Sequence, residues 1–481
     1  MRRFRFVAFV LAAAPATAGL VHCVGDDAAV PPSSVSPDGG GDGSSSGDGG
    51  TPEGGGDLDG SPDGGTTVNP ADPVMVAAGL AHACVVLARG DVFCWGKNAY
   101  GETGEAPGGT GTSLVPRAVA WKGSGSPAYA HVALAWDHTC AADTTGGVYC
   151  WGNNQYAQLG NNDDDAGAPS SSAPQDVVNP FNTHLKVRPT RGSLNAAGHF
   201  TCGVKPSGGA ACWGTHEASL DGKDSGGVKR SARAVDVVGP PDGPATISAS
   251  GFIHTCIAAL GTANAPIGCW GGNKLSQTGN GNSQDAVVFT NALWPVGTPA
   301  PTQLAAGLGH TCALAGSSVL CWGYNGPGSS AQPTSGPVDL VSVPTKASAL
   351  EAAGKTITRV AAGGMNTCAV RSGEVVCVGA NESGQLGTAS FDATETAHAS
   401  PVGPVQGIDD AVDVAIGGQP KFGTVTGPLP TSGGFACAIR EDKNTKRRSV
   451  WCWGANDKGQ LGTGTVGTLT AIPVQVKGLP N

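Results

Sequence analysis

The sequence predicts an all-β fold, a seven-bladed β-propeller, on three observations. A pair of cysteines recurs seven times, a shared turn-rich tail follows most of the pairs, and helix signals are scarce. The pairs are Cys84 with Cys94, Cys140 with Cys150, Cys202 with Cys212, Cys256 with Cys269, Cys312 with Cys321, Cys368 with Cys377 and Cys437 with Cys452. First cysteines recur 54 to 69 residues apart, and only Cys23 stands outside the scheme. Repetition of this kind overrides the length prior, under which 481 residues would suggest about three unrelated domains.

Each repeat reads as strands and turns. In the first copy the short apolar runs CVVL and VFCW flank Arg89-Gly90, and the second copy repeats the pattern around Gly146-Gly147, which is a hairpin signal. In six copies the second cysteine runs into Trp-Gly (Trp95, Trp151, Trp213, Trp270, Trp322, Trp453), with Val378-Gly379 in the sixth. The tail that follows is clearest as GNNQYAQLG, GANESGQLG and GANDKGQLG. The 77 glycines and the absence of capped 3.6-period segments argue against helices. Units this small cannot bury their faces alone, so they must stack around an axis. The body opens with the second part of a repeat (PVMVAAGLAHAC) and stops with the first part of one (TAIPVQVKGLPN). The expectation is therefore a ring closed by pairing of N- and C-terminal strands, which removes a free edge.

The motifs [His/Asn]-Thr-Cys, Cys-Trp-Gly-x-Asn and Gly-Gln-Leu-Gly, repeated over about residues 74–481, resemble the repeat of the regulator of chromosome condensation family. That resemblance implies a seven-bladed propeller and a protein partner. Founding members of the family act on a small nuclear GTPase and contact chromatin, a role that the leader and the cysteines of this chain oppose.

Cysteine spacing decides the chemistry of the pairs. Zinc knuckles and redox pairs place two residues between their sulfurs, whereas eight to fourteen intervene here. Cysteines directly opposite across an antiparallel hairpin lie roughly 4.5 to 5.5 Å apart, within reach of a disulfide. The reading is seven intra-blade disulfides, each contributing about 2.5–3 kcal/mol by loop closure. A chain that is 40% hydrophobic and 5% aromatic needs such help.

Ahead of the repeats, Arg2, Arg3 and Arg5, the apolar run Phe6 to Ala14 and the small residues Ala16-Thr17-Ala18 fit a signal peptide over residues 1–22. Leu20-Val21-His22-Cys23 resembles the box before the lipidated cysteine of bacterial lipoproteins; cleavage after Ala18 would instead leave Cys23 a thiol. Residues 23–73 are nearly all Gly, Ser, Asp, Pro and Thr, a disordered tether. The propeller occupies residues 74–481. Setting aside the three arginines of the leader and the ten acidic residues of the tether leaves the body close to neutral, with no electrostatic footprint for nucleic acid. Localisation is expected to be the outer membrane or cell surface as a lipoprotein, or secretion if Cys23 stays unmodified.

Departures from the repeat are the places to look for binding. The last hairpin, REDKNTKRRS, is the longest and carries Arg440, Lys443, Lys446, Arg447 and Arg448, candidates for an acidic partner. Asp163, Asp164 and Asp165 open a long connection but lack the alternating spacing of a calcium loop. The stretch 222–235 loses the tail motif. His82, His138, His254 and His310 share one position, held by Phe200, Asn366 and Phe435 elsewhere, and are read as bonding backbone between blades. No nucleophile–base spacing, metal motif or phosphate loop occurs, so catalytic residues, metal and cofactors are all read as none. The function expected is an exported, lipid-anchored, monomeric protein-interaction module for an unidentified protein, touching the membrane only through its lipid. The alternative is a carbohydrate-binding or enzymatic propeller with a site at the central mouth.

Overall fold

A computed structural model describes residues 68–480 apart from 122–126, 164–168, 217, 224–226, 238–244, 260–266, 327, 334–338, 389–402, 419–432 and 468. Its strands fall into seven antiparallel sheets, each made from one contiguous stretch of chain. Blade 1 holds β1 (Pro73–Ala78), β2 (His82–Leu87), β3 (Val92–Lys97) and β4 (Thr112–Ala118); blade 2 holds β5 (Tyr129–Leu134), β6 (His138–Asp143), β7 (Val148–Gly152) and β8 (Ser171–Asp176). Blade 3 is β9 (Leu194–Ala197), β10 (Phe200–Val204), β11 (Ala210–Thr215) and β12 (Arg230–Asp236); blade 4 is β13 (Ile247–Ser250), β14 (His254–Ala258), β15 (Gly268–Gly271) and β16 (Ala286–Asn291). Blade 5 is β17 (Pro301–Ala306), β18 (His310–Ala315), β19 (Ser318–Tyr324) and β20 (Leu340–Lys346); blade 6 shows β21 (Ile357–Gly363), β22 (Asn366–Arg371) and β23 (Glu374–Gly379). Blade 7 is β24 (Ala411–Gly417), β25 (Phe435–Glu441), β26 (Arg448–Gly454) and β27 (Thr470–Gln475).

The first strand of each blade packs on the first strand of the next, and β24 packs on β1, so the seven blades close a ring around a central shaft. This is the propeller that the repeats predict. Its closure differs from the expectation: β1 pairs with β2, and β27 pairs with β26, so among the described residues no N-terminal strand enters the last blade. The first blade takes its outer strand from residues 112–118, where Ser113-Leu-Val-Pro matches Thr470-Ala-Ile-Pro of β27, so blades 1 and 7 are each completed by their own stretch of chain.

Local rules explain each unit. In every blade the two cysteines face each other in direct register across the hairpin between the second and third strands. Cys84 lies opposite Cys94, Cys140 opposite Cys150, Cys202 opposite Cys212 and Cys256 opposite Cys269. Cys312 lies opposite Cys321, Cys368 opposite Cys377 and Cys437 opposite Cys452. A disulfide joins each pair, with Cα atoms 4.0–4.1 Å apart, somewhat closer than the spacing expected of an unlinked strand pair. The second strand of each blade is wholly buried or nearly so, because sheets cover both its faces. The Trp-Gly that follows the second cysteine forms a bulge: the ladder to the outer strand slips between Cys94 and Gly96, and again in the other four-stranded blades. Gly96 adopts φ +103°, and a Cβ there would stand 2.4 Å from the Ala81 carbonyl, so only glycine fits. The bulge turns the tryptophan into the space between blades, where Trp95, Trp151, Trp213, Trp270, Trp322 and Trp453 are fully buried. The apolar core is accordingly a set of clusters between neighbouring blades. One joins Val76, Val85 and Trp95 of blade 1 to Phe435, Ile439 and Cys452 of blade 7.

Candidate functional site

The shared histidine position is an internal joint. His82 Nε2 lies 2.9 Å from Thr139 Oγ1 of the next blade, and His138–Thr201, His254–Thr311 and His310–Thr367 repeat the contact at 2.8–2.9 Å. The partner is thus a threonine hydroxyl and not the backbone that the sequence suggested. Thr139 in turn donates to the Glu102 carbonyl, Thr311 to that of Gln277 and Thr367 to that of Ser329, so His82, His254 and His310 donate to them from Nε2. The same two carbonyls accept the indole N–H of Trp151 and Trp322. Burial drives the histidine pKa values down, to about 3 for His82, His138 and His254 and about 4 for His310. These side chains are committed to packing and to the threonine contacts between blades.

The basic hairpin is equally committed. Arg440 makes two bonds to Asp410 at 2.6 and 3.0 Å, and Lys443 reaches Asp409 at 2.8 Å. Arg447 pairs with Asp72 at 3.0 Å, while Lys446 and Arg448 share Glu441. With Asp442 holding the turn, the acids of the neighbourhood equal the five cations, so the surplus positive charge read from REDKNTKRRS is absent from the surface. The acids come from residues 72, 409 and 410, remote in sequence and invisible to a reading of the loop alone. Asp163 lies in a turn whose Asn161 accepts its N–H; Asp164 and Asp165 lie outside the described residues, as does Cys23. Among the described residues no group of three His, Cys, Asp or Glu could hold a metal ion.

What the fold brings together instead is an aromatic arc. Trp136, between β5 and β6, stacks on Phe252, between β13 and β14, at 4.5 Å and 15°. His199, between β9 and β10, meets the Trp136 ring edge-on at 5.2 Å and stacks on Tyr156 at 4.0 Å. These loops lie on the face where the first strand of a blade turns into the second. Blades 2 and 4 therefore touch above blade 3. They can do so because blade 3 has Gly198 at the position of Trp136 and Phe252: its φ is +49°, and a Cβ would come 3.3 Å from the Phe252 ring. Beneath the rings Asp137 is buried, accepting from Asn153 Nδ2 at 2.8 Å and lying 4.0 Å from His199 Nδ1. Tyr156 is 40% exposed, and Trp136, His199 and Phe252 are half-buried.

Models of the "Regulator of chromosome condensation (RCC1) repeat" match residues 75–102, 130–158, 145–189 and 449–481. Over these spans, which lie in blades 1, 2 and 7 and the connection after blade 2, the chain is similar to the RCC1 repeat. The ultraviolet-B receptor UVR8 of Arabidopsis thaliana is 26% identical over 211 residues, 44% of either chain. The mitochondrial RCC1 domain-containing protein RUG3 of the same plant is 25% identical over 320 residues, 62% of this chain and 63% of that one. The chain thus spans less than two thirds of these relatives. Among solved structures, yeast RCC1 (Prp20) bound to Kap60 superposes with a TM-score of 0.64 at 17% identity, covering 87% of this chain and 90% of that one. Prp20p of Saccharomyces cerevisiae, described with its binding to Gsp1p and histones, gives 0.62 at 18%, covering 81% and 86%. Against the RCC1 repeat, the arc has one sequence signal. The two residues before the shared histidine read Leu-Ala, Trp-Asp, Gly-His, Phe-Ile and Leu-Gly in blades 1 to 5, so the large rings flank a glycine.

Proposed function

We propose that this chain is an exported protein-interaction module, lipid-anchored through Cys23, whose docking surface is the arc of Trp136, Tyr156, His199 and Phe252. The observation that carries this reading is the arc itself: four rings from three blades, partly open to solvent and rigidly backed by sheet. Aromatic anchors of that kind dominate protein interfaces, because they bury large area at little conformational cost. Yeast Prp20 binds Kap60, Gsp1p and histones, and this makes a protein partner the natural class.

The test is quantitative capture from envelope extracts with the intact protein. Trp136→Ser with Phe252→Ser should lower recovery of any specific partner at least ~30-fold, the scale of an interface hot spot, and leave the melting temperature within a few degrees. Shortening the 440–449 hairpin should leave recovery unchanged. The opposite pattern would move the docking surface to the other face. Membrane fractionation of Cys23→Ser reads the anchor separately, since a lipidated protein would be released.

A further inference from the structure

A contact in the central shaft joins blades that are not neighbours. Arg191, on the connection from β8 to β9, places a guanidinium nitrogen 2.7 Å from a carboxylate oxygen of Asp413 on β24. The residues are 222 positions apart and belong to blades 3 and 7, with blades 1 and 2 between them on one side and blades 4 to 6 on the other. Asp413 is buried, and its second oxygen accepts the Val76 N–H of β1 at 2.9 Å.

Blade 5 shows what an uncharged version looks like. Gln303 Oε1 accepts the Val360 N–H of the next blade at 3.1 Å, and its Nε2 donates to the Thr358 carbonyl at 2.8 Å. An amide therefore completes both bonds within the adjoining blade. A carboxylate has no proton to donate, so at the seam between blades 7 and 1 Asp413 Oδ1, the oxygen that does not face Val76, must be answered by positive charge or a donor from elsewhere. The Arg191 guanidinium supplies that charge from across the ring as an ion pair.

The segment that carries Arg191 is well anchored. Lys186 bridges to Gly147 of blade 2, the Arg188 N–H donates to the Val204 carbonyl of blade 3, and the Gly192 carbonyl accepts the Ser248 N–H of blade 4. His131 of blade 2 is buried beside it, and burial together with the Arg191 charge lowers its pKa to about 4, so it stands neutral. We infer that residues 186–193 form a strap that crosses one mouth of the shaft and holds the seam between blades 7 and 1 through Asp413. The seam has no shared strand, and this contact takes over part of that duty. The inference is independent of the docking reading above.

A mutant cycle read by amide exchange tests it on the whole protein. Arg191→Gln should raise exchange at least ~10-fold in β1 and β24 relative to β17, and Arg191→Lys should recover part of the protection. In an Asp413→Gln background, which imitates Gln303, Arg191→Gln should change nothing, because no buried carboxylate remains to be answered. If Arg191→Gln fails to fold, Arg191→Lys alone carries the comparison with β17. Equal exchange in β1, β17 and β24, or an undiminished effect of Arg191→Gln in the Asp413→Gln background, would overturn the strap.

Discussion

Two kinds of joint hold the ring. Between blades 1 and 2, 2 and 3, 4 and 5, and 5 and 6, a buried neutral histidine donates to a threonine on the next blade. At blades 6–7 and 7–1 the same positions are Asn366 facing Ala436 and Phe435 facing Ala83. The histidine and the threonine are missing together at those two joints, which are closed instead by apolar packing, Asp413 and the Arg447–Asp72 pair. Between blades 3 and 4 Phe200 replaces the histidine while Thr255 remains, and Ser250 Oγ, 3.2 Å away, takes up the vacant hydrogen bond. The difference shows that the joint depends on matched polar pairs and not on histidine as such: a buried donor survives only with its acceptor.

Acidification should separate the two kinds of joint most strongly. These histidines bind a proton near pH 6.5 when unfolded but only near 3 to 4 when folded. Their contribution is complete above pH 6.5 and is lost as pH falls toward 4, by about 1.4 kcal/mol per pH unit for each. Denaturant melts should therefore show stability dropping by several kcal/mol between pH 7 and 5, with exchange at pH 5 rising first around Thr139, Thr201, Thr311 and Thr367. A flat profile over that range would contradict the assignment of neutral buried imidazoles.

Next in size is the swap of one joint for the other. Thr311→Ala leaves the His254 N–H without an acceptor and should cost about 1–3 kcal/mol. Adding His254→Phe, which copies Phe435 over Ala83, should return at least half of that, and a double variant weaker than Thr311→Ala would show that the pairing is not interchangeable. Smaller again is Arg447→Gln, which strips a half-exposed partner from buried Asp72. About 1 kcal/mol, diminished in high salt, is expected from melts at pH 7. Lys443→Ala should leave the melting temperature unchanged, because both ends of its ion pair face water.

Most of the frame was legible in the residues. Cysteine spacing of eight to fourteen and Trp-Gly after the second cysteine encode hairpin and bulge, both of which are local. The candidate site was not legible. Trp136 and Phe252 are 116 residues apart, and they meet only because Gly198 leaves room above blade 3. The basic hairpin shows the same effect in reverse, since Asp72, Asp409 and Asp410 reach it through the fold.

The sequence by itself determined the number of blades, the disulfide partners and the interior positions, because each follows from a short period and a contact inside one hairpin. The tertiary structure decided how the ring closes, which charges stay uncompensated and where rings gather, because these depend on side chains that different blades present to one another around the shaft. Coulombic and stacking forces act over a few ångströms of space, and no distance along the chain reports that spacing.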